Sequence, residues 1–341
     1  MEKIDFVLPW VDGSDKKWIA LKQKYENSAI AMMCSDSAAN GDCRYRDYGL
    51  LKYWFRAIER FAPWVNRVYF VTCGQKLSWL NESNPKLRLV NHDEYIPADY
   101  LPTFQSNTIE LNLHRIADLS ERFVLFNDDV FLLRPVKPEY FFKNGHPVIC
   151  CYLGIPRWRG ASYTSRVILN NSWILKSSLN VERLVWKNIW KYTDFRTLGF
   201  ARAVKNLLSF AINRTLITGT FGHLAQPHLK STLEDIWRIQ PKIMERTSQS
   251  RFRTDNCVNQ WLISAWDMVS GRFYPANEKH RGEFVTFDMD NIDDICDLIR
   301  KQSYPQLCLH EKGNCQNFEL CVKKVAAAFC ELLPEKSSFE K

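Results

Sequence analysis

The stretch Phe123-Val124-Leu125-Phe126-Asn127-Asp128-Asp129-Val130-Phe131-Leu132-Leu133 constrains this chain more than any other. Two apolar, β-prone runs, each too short for a helix, flank an amide and two adjacent carboxylates. This predicts a buried strand, a polar break and a second extended segment. Asp is a poor strand residue, and two like charges at a buried break are costly unless a cation or a cationic side chain faces them. Two readings follow. One is a turn in which Asn and Asp serve the backbone; the other is a pair of hard oxygen ligands at a strand end, holding Mg²⁺ or Mn²⁺ against a diphosphate.

A chain of 341 residues buries a large core, so one elaborated domain is expected over residues 1–341 rather than a string of modules. With 46% apolar and 13% aromatic residues it is globular, which excludes a disordered chain. The formal charge of +8 asks for an anionic partner: a nucleotide diphosphate, an anionic polymer or a membrane surface. Nucleic acid is not expected, because no recognised nucleic-acid motif is present. Eleven cysteines without a regular framework read as free thiols in a reducing compartment, hence a cytoplasmic location, possible also at the inner face of a membrane. The opening apolar stretch stops at Asp12, too early for a signal peptide, and no run of eighteen apolar residues is available to span a bilayer.

Ile4 to Trp10 reads as the first buried strand, followed by the acidic turn Val11-Asp12-Gly13-Ser14-Asp15 and a helix from about Lys16. Residues 28–43 read as a mobile loop. Arg44 and Arg46 precede an amphipathic helix capped by Asp47, with Leu50, Leu51, Trp54, Phe55, Ile58 and Phe61 inward. Strands are expected at Arg67–Thr72 and Arg88–Asn91. A helix from about Asn107 to Ala117 places Glu110 and His114 four residues apart on one face. Strands alternating with helices predict an α/β layer over residues 1–150 with a largely parallel sheet.

Beyond it the character changes. Residues 181–214 carry seven Lys or Arg against two acids at helical spacing, so 151–218 is expected to be a helical basic insertion, read either as a subdomain with a solvated basic face or as a contact for a membrane or an anionic acceptor. Residues 219–341 then complete the core begun by 1–150, with the polar specialists Gly222, His223, Pro227, His228 and Arg253, a strand near Phe284 to Phe287, and a closing helix Val322 to Leu333 before a frayed end. Cys308, His310, Cys315 and Cys321 match no strong zinc-finger spacing.

Four stretches together resemble the Stealth family of sugar-phosphate transferases, which includes bacterial capsular polysaccharide phosphotransferases and the catalytic core of the lysosomal-enzyme GlcNAc-1-phosphotransferase. They are Ile4 to Asp15; the long series from Arg44-Tyr45-Arg46-Asp47 through Val71-Thr72-Cys73-Gly74-Gln75, Leu101-Pro102-Thr103-Phe104, Ile109-Glu110 and His114-Arg115-Ile116 to Asn127-Asp128-Asp129-Val130; Gly222-His223 with Pro227-His228 and Arg253; and Cys308-Leu309-His310-Glu311. The family shows Asn-Asp where this chain has His310-Glu311, and its acidic residue after Arg253 falls on Cys257, with Asp255 nearby.

The resemblance implies a nucleotide-sugar-transferase-like (GT-A-like) α/β core. It also implies transfer of a sugar 1-phosphate from a UDP-sugar to a hydroxyl of a polysaccharide acceptor, with release of UMP. Carried over by position, Glu110 and Asp129 would be metal ligands or charge-positioning acids of the catalytic site, with Asp128 beside them and Glu311 as a further metal ligand. His223 would be the general base or a phosphate contact, and Arg253 a clamp on phosphoryl oxygens. Asp12, Gly13 and Asp15 would line the uridine-diphosphate side, with Arg44, Arg46, His114 and His228 as further substrate contacts. The implied cofactor is Mg²⁺ or Mn²⁺. Two rivals are a metal-dependent glycosyltransferase that releases UDP and a non-catalytic polyanion-binding protein.

Overall fold

A computed structural model of the chain describes residues 3–29, 34–150, 153, 162–212, 222–313, 315 and 317–341. Its strands are β1 (Ile4–Pro9), β2 (Val68–Thr72), β3 (Leu87–Asn91), β4 (Arg122–Leu125), β5 (Val130–Leu132), β6 (Phe142–Lys143), β7 (His146–Cys150), β8 (Gln226–Leu229), β9 (Tyr274–Ala276), β10 (Glu283–Phe287) and β11 (Gln306–Glu311). The central sheet has the order β3-β2-β1-β4-β8. Its first four strands are mutually parallel, and β8 pairs antiparallel on the β4 edge.

Both faces of this sheet are covered, which is why its strands read as nearly unbroken apolar runs. Side chains alternate with period two. Phe6 and Leu8 of β1, Phe70 of β2 and Val124 of β4 join one core, whereas Val7, Tyr69, Phe123 and Leu125 join the other. The first core is closed by α2 (Leu51–Phe61, following α1 at Lys16–Ala29), by helices Ile292–Arg300 and Phe318–Leu332, and by a second sheet of order β10-β11-β5. The second core is closed by α3 (Ser106–Leu111) and by helices Lys230–Ile239, Pro241–Gln249 and Trp261–Ser270. Asp5 is fully buried in β1, yet its carboxylate accepts from Asn66 Nδ2 at 2.6 Å and from the Ser120 N–H at 2.8 Å, so the burial leaves no orphaned charge.

The chain winds outward from β1 through β2 to β3 and then crosses back to β4 on the other side of β1. In an open parallel sheet, this reversal opens a crevice at the carboxyl ends of the two strands flanking it. The turn Asp12–Asp15 leaves the end of β1, and Asn127-Asp128-Asp129 leaves the end of β4. The acidic pair is also the link between two sheets, since β5, directly after it, pairs antiparallel with β11. The expected strand, polar break and extended segment are therefore present, with the two extended pieces in different sheets.

Several local expectations are corrected. Helix α2 begins at Leu51 without a side-chain cap, and Asp47 instead accepts from the Gly49 N–H at 3.1 Å. The helix expected from 107 to 117 stops at Leu111, because Asn112 turns its amide onto the Thr108 carbonyl (2.8 Å) and Ser248 Oγ (3.0 Å), and only a 3-10 turn follows at Leu113–Arg115. Within the expected loop at 28–43, residues 34–43 include a 3-10 turn at Ser37–Asn40 and the start of another at Asp42–Tyr45, both tied to the body of the protein; residues 30–33 lie outside the described set. The tail after Pro334 is docked rather than frayed: Phe339 is buried in the first core and Glu340 accepts both prongs of Arg56 at 2.8 Å. In the expected helical insertion, helices run from Tyr163 to Ile212, while residues 151–152, 154–161 and 213–218 lie outside the described residues. Among the described residues no helix is long and apolar enough to cross a membrane.

Candidate active site

The turn after β1 is fixed by one side chain from β2's far end. Gln75 donates to the Asp12 carbonyl (2.9 Å) and to Asp15 Oδ2 (3.3 Å), and accepts from the Asp12 N–H (2.8 Å). Asp15 in turn accepts from the Lys17 N–H at 2.8 Å at the start of α1, and that bond, followed by the one from Gln75, holds its carboxyl below the usual range. Gly13 is required by close approach. Its N–H donates to the Tyr45 carbonyl at 3.0 Å, and a Cβ added there would lie 2.7 Å from the Tyr45 Cβ. Gly13→Ala is accordingly expected to push Tyr45 and its neighbours Arg44 and Arg46 outward, costing about 1–3 kcal/mol as an overpacked contact. A thermal melt and a nucleotide-binding titration would both register the change.

Arg44 is exposed in the 3-10 turn Asp42–Tyr45. Its guanidinium lies within electrostatic reach of Asp129, Arg253, His223 and His310. Arg46 points elsewhere: it pairs with Glu311 at 2.6 Å and lies over the Phe318 ring at 4.6 Å.

Arg253 is held in a fork. One nitrogen donates to the Ala39 carbonyl at 2.7 Å and another to Ser106 Oγ at 3.2 Å, while its backbone N–H reaches Asn40 Oδ1 at 3.0 Å and its carbonyl accepts from the Cys34 N–H at 2.8 Å. The 34–46 segment and Arg253 thus position each other. Asp255 reinforces them by accepting from the Cys34 thiol (2.8 Å) and the Ser35 N–H (3.3 Å) and pairing with Arg166, so its role in the structure is to anchor this loop. Glu110 is buried beneath Arg253. Burial pushes its carboxyl up to about 7, against the opposing pull of Arg253 and a bond from Ser106.

The acidic pair sits half-buried at the end of β4. Burial raises both carboxyls, and for Asp128 the charges of Asp129 and Asp47 add to it. Asp129 is pinned through its backbone carbonyl, which accepts from the Leu309 N–H at 2.8 Å, and one carboxylate oxygen is bonded by the Cys308 thiol. Its Oδ1 is buried with no partner. Among the described residues no group of three or more His, Cys, Asp or Glu is placed to hold an ion. The pair nonetheless suits a hard divalent cation: two adjacent carboxylates, one with an orphaned oxygen, would supply two protein ligands, and Mg²⁺ ordinarily takes its remaining ligands from water and substrate phosphates.

Glu110 and Glu311, expected as further ligands, are not brought to the pair. Glu110 belongs with Arg253, and Glu311 is buried against Arg46, its N–H donating to Tyr48 Oη at 3.2 Å.

His223 stands at the rim with its ring 5.2 Å from that of Phe284, which is in turn 5.6 Å from His310. Desolvation, His310 and Arg44 all lower its proton affinity, which favours the neutral imidazole. The other two expected histidines lie apart from this cluster. His228 is in β8 with both nitrogens buried and unpartnered against Phe123, and burial pushes it down to about 3. His114, in the 3-10 turn rather than on the helix with Glu110, lies against Trp237 and is pushed down to about 4 by burial and by Arg115 and Lys230. Both are parts of the packing. Sequence reasoning had assigned no role to Tyr48, whose hydroxyl lies within electrostatic reach of Asp129, Asp128 and Glu311, to Gln75 or to Ser106. Gln75 lay inside a stretch already singled out; Ser106 and Tyr48 act through contacts far apart in the chain.

Residues 2–29 match Stealth protein CR1, conserved region 1, and residues 44–149 match Stealth protein CR2, conserved region 2. Similar full-length proteins include receptor polysaccharide phosphotransferase WefC of Streptococcus oralis, 40% identical over 100% of both chains. Capsular polysaccharide phosphotransferase WcwK of Streptococcus pneumoniae is 38% identical over 100% of both. An exopolysaccharide phosphotransferase of Lactiplantibacillus plantarum is 33% identical over 99% of this chain and 96% of its own. Among solved structures, galactosyltransferase LgtC in complex with donor and acceptor sugar analogs aligns over 98% of this chain and 96% of its own at 12% identity, with a TM-score of 0.43. The bifunctional glycosyltransferase WbbM aligns over 97% and 51% at 10% identity, with a TM-score of 0.39. With full-length relatives at this identity, the chain belongs to the Stealth family of phosphotransferases.

Proposed function

We propose that this enzyme transfers a sugar 1-phosphate from a UDP-sugar to a hydroxyl of a polysaccharide acceptor in the synthesis of a cell-surface polymer. The observation that carries this reading is a set of groups within electrostatic reach of the Arg44 guanidinium: Asp129 with its orphaned oxygen, Arg253 held by the Ala39 carbonyl and Ser106, and His223. Attack at the sugar-linked phosphorus forms a new phosphorus–oxygen bond to the acceptor and breaks the bond to the bridging oxygen, which leaves with UMP. Negative charge grows on the phosphoryl oxygens and on the leaving phosphate, so fixed cations there lower the barrier.

Arg253 suits this role because its fork fits phosphoryl oxygens, and Arg44 lies within electrostatic reach of both it and Asp129. His223 takes the acceptor's proton, since its surroundings favour the neutral imidazole, whose lone pair can accept it. Asp128 and Asp129 would hold Mg²⁺ or Mn²⁺, which when bound neutralises diphosphate charge. The turn Asp12-Gly13-Ser14-Asp15 borders the donor side of the crevice.

The test is the nucleotide product. Incubation with a panel of UDP-sugars, Mg²⁺ and an extracted capsular polysaccharide is expected to yield UMP, lost on chelation. UDP in its place would mean that the sugar moves without its phosphate and would overturn the reading. Turnover by no donor, with salt-sensitive polymer binding that survives Asp129→Ala, would move the protein to the polyanion-binding class.

A further inference from the structure

The helical insertion turns its apolar side outward. Of the thirteen large apolar residues exposed among the described residues, nine lie between Trp173 and Ile212, so the exposure is concentrated rather than scattered. In the helix Phe200–Ile212, residues Phe200, Val204, Leu207, Leu208 and Ile212 recur at i, i+4, i+7, i+8 and i+12. They form one stripe, all of it exposed, with Phe200 at 77% and Ile212 at 69%. The opposite side, packed inward, consists of Ala203, Asn206 and Phe210. A surface helix of a water-soluble protein does the reverse, burying its wider apolar stripe. Trp190 and Phe195, both 61% exposed, extend the patch on the two preceding short helices.

The arrangement is held rigidly from beneath. Asn206 accepts from the Leu153 N–H at 3.0 Å and donates to the Tyr192 carbonyl at 2.9 Å. The Tyr192 hydroxyl donates to the Met268 carbonyl at 2.6 Å, and Lys191 Nζ to that of Phe273 at 2.8 Å, so the insertion is fastened to helix Trp261–Ser270 and to the segment entering β9.

The same run of helices carries exposed cations: Lys187, Arg196 and Lys205. They decide between occupants. A second copy docked by two-fold symmetry would set the same cations against each other, and the cores of protein interfaces are depleted of charge. A hydrated polysaccharide gains nothing from Leu208 and Ile212. An anionic bilayer surface satisfies both halves, since acyl chains receive the stripe, tryptophan favours the headgroup level, and each Lys or Arg near an anionic surface adds to the attraction. We propose that the face formed by Trp190, Phe195, Phe200, Leu208 and Ile212 is a docking surface for an anionic phospholipid membrane.

Flotation of the purified full-length chain with phosphatidylcholine vesicles, with and without phosphatidylglycerol, tests this independently of catalysis. The chain is expected to float with the anionic vesicles and to be released in part by high salt. Phe195→Ser/Phe200→Ser/Leu208→Ser should lower vesicle binding by about tenfold or more, and Lys187→Glu/Arg196→Glu/Lys205→Glu should abolish the preference for phosphatidylglycerol. These side chains face solvent, so both variants should keep the wild-type circular dichroism and wild-type turnover of a water-soluble acceptor; if one is misfolded, tryptophan quenching of the wild-type chain by brominated lipids decides in its place. Equal flotation of folded variants, no flotation of wild type, or a light-scattering dimer abolished by the serine substitutions would overturn the proposal.

Discussion

Replacing Asp129 by Asn is expected to lower turnover by about 10²–10³-fold while making the cation-free protein more stable. The first half follows from charge. Asp129 carries the orphaned buried oxygen at the switch point, and Asn is close to isosteric but removes the negative charge that a divalent cation needs. The second half follows from cost. Both carboxyls of the pair are raised, first by burial, so the folded chain keeps protons there that the unfolded chain has released. The sign is then fixed. Unfolded carboxyls of this type lose their protons near pH 3.9; the pair's contribution to stability is full below that value and is lost as pH rises through the raised folded-state range.

At pH 7 the cation-free wild type therefore carries a penalty that Asn removes in part, on the order of 1 kcal/mol. Melting curves between pH 4 and 8, with and without Mg²⁺, provide the measurement. Wild type should lose stability with rising pH without Mg²⁺ and recover when it is added. Asp129→Asn should show a flatter pH slope and little response to Mg²⁺. A variant that still gains as much from Mg²⁺ as wild type would remove Asp129 from the ion's ligands, whatever its turnover.

The parts of the fold legible in the chain were those whose burial is written locally. The central strands have apolar runs of strand length because both faces of the sheet are covered, and α2 shows its stripe from Leu51 to Phe61. Pairings that depend on distant partners were not legible. Pro227 and His228, polar specialists in the sequence with no strand expected there, lie in β8, where proline is tolerated because the strand lies at an edge. The same fact explains His228: as a strand residue beside Phe123 it enters the core, whereas in a turn it would have reached the crevice.

The candidate site divides along the same line. Asp128, Asp129 and the turn after β1 were placed by their position at strand ends, which the apolar pattern reveals. Glu110 was assigned to the cation by family position. Its burial under Arg253 depends on a helix that ends four residues after Asn107, and that ending is set by the bond from Asn112 to Ser248, 136 residues away. The frayed end failed similarly, because Glu340 finds Arg56 across 284 residues.

Arg253→Ala is expected to lose turnover by about 10²–10³-fold and also to cost about 1.5–3 kcal/mol of stability, and the two losses should be separable. The guanidinium does two things at once. Toward the protein it donates to the Ala39 carbonyl and Ser106 Oγ and opposes the burial of the Glu110 carboxyl; toward the crevice it contributes, with Arg44, the positive field. Without it, Glu110 keeps its buried position and loses its cation, so its carboxyl should rise further above about 7 and stay protonated through neutral pH. Adding Glu110→Gln removes the cost of taking up that proton at neutral pH, and Arg253→Ala/Glu110→Gln should therefore melt closer to wild type than Arg253→Ala alone, a non-additive pair as expected for residues in contact. Turnover should not return, because an amide at 110 supplies no positive charge to the phosphoryl oxygens. Arg253→Lys completes the comparison: it retains a charge but not the fork, and should recover stability more than rate. Melting temperatures and initial rates of nucleotide release for the four proteins would decide the matter. Recovery of rate together with stability in the double variant would make Arg253 a structural clamp on the 34–46 segment and leave Arg44 as the cation that meets the phosphate.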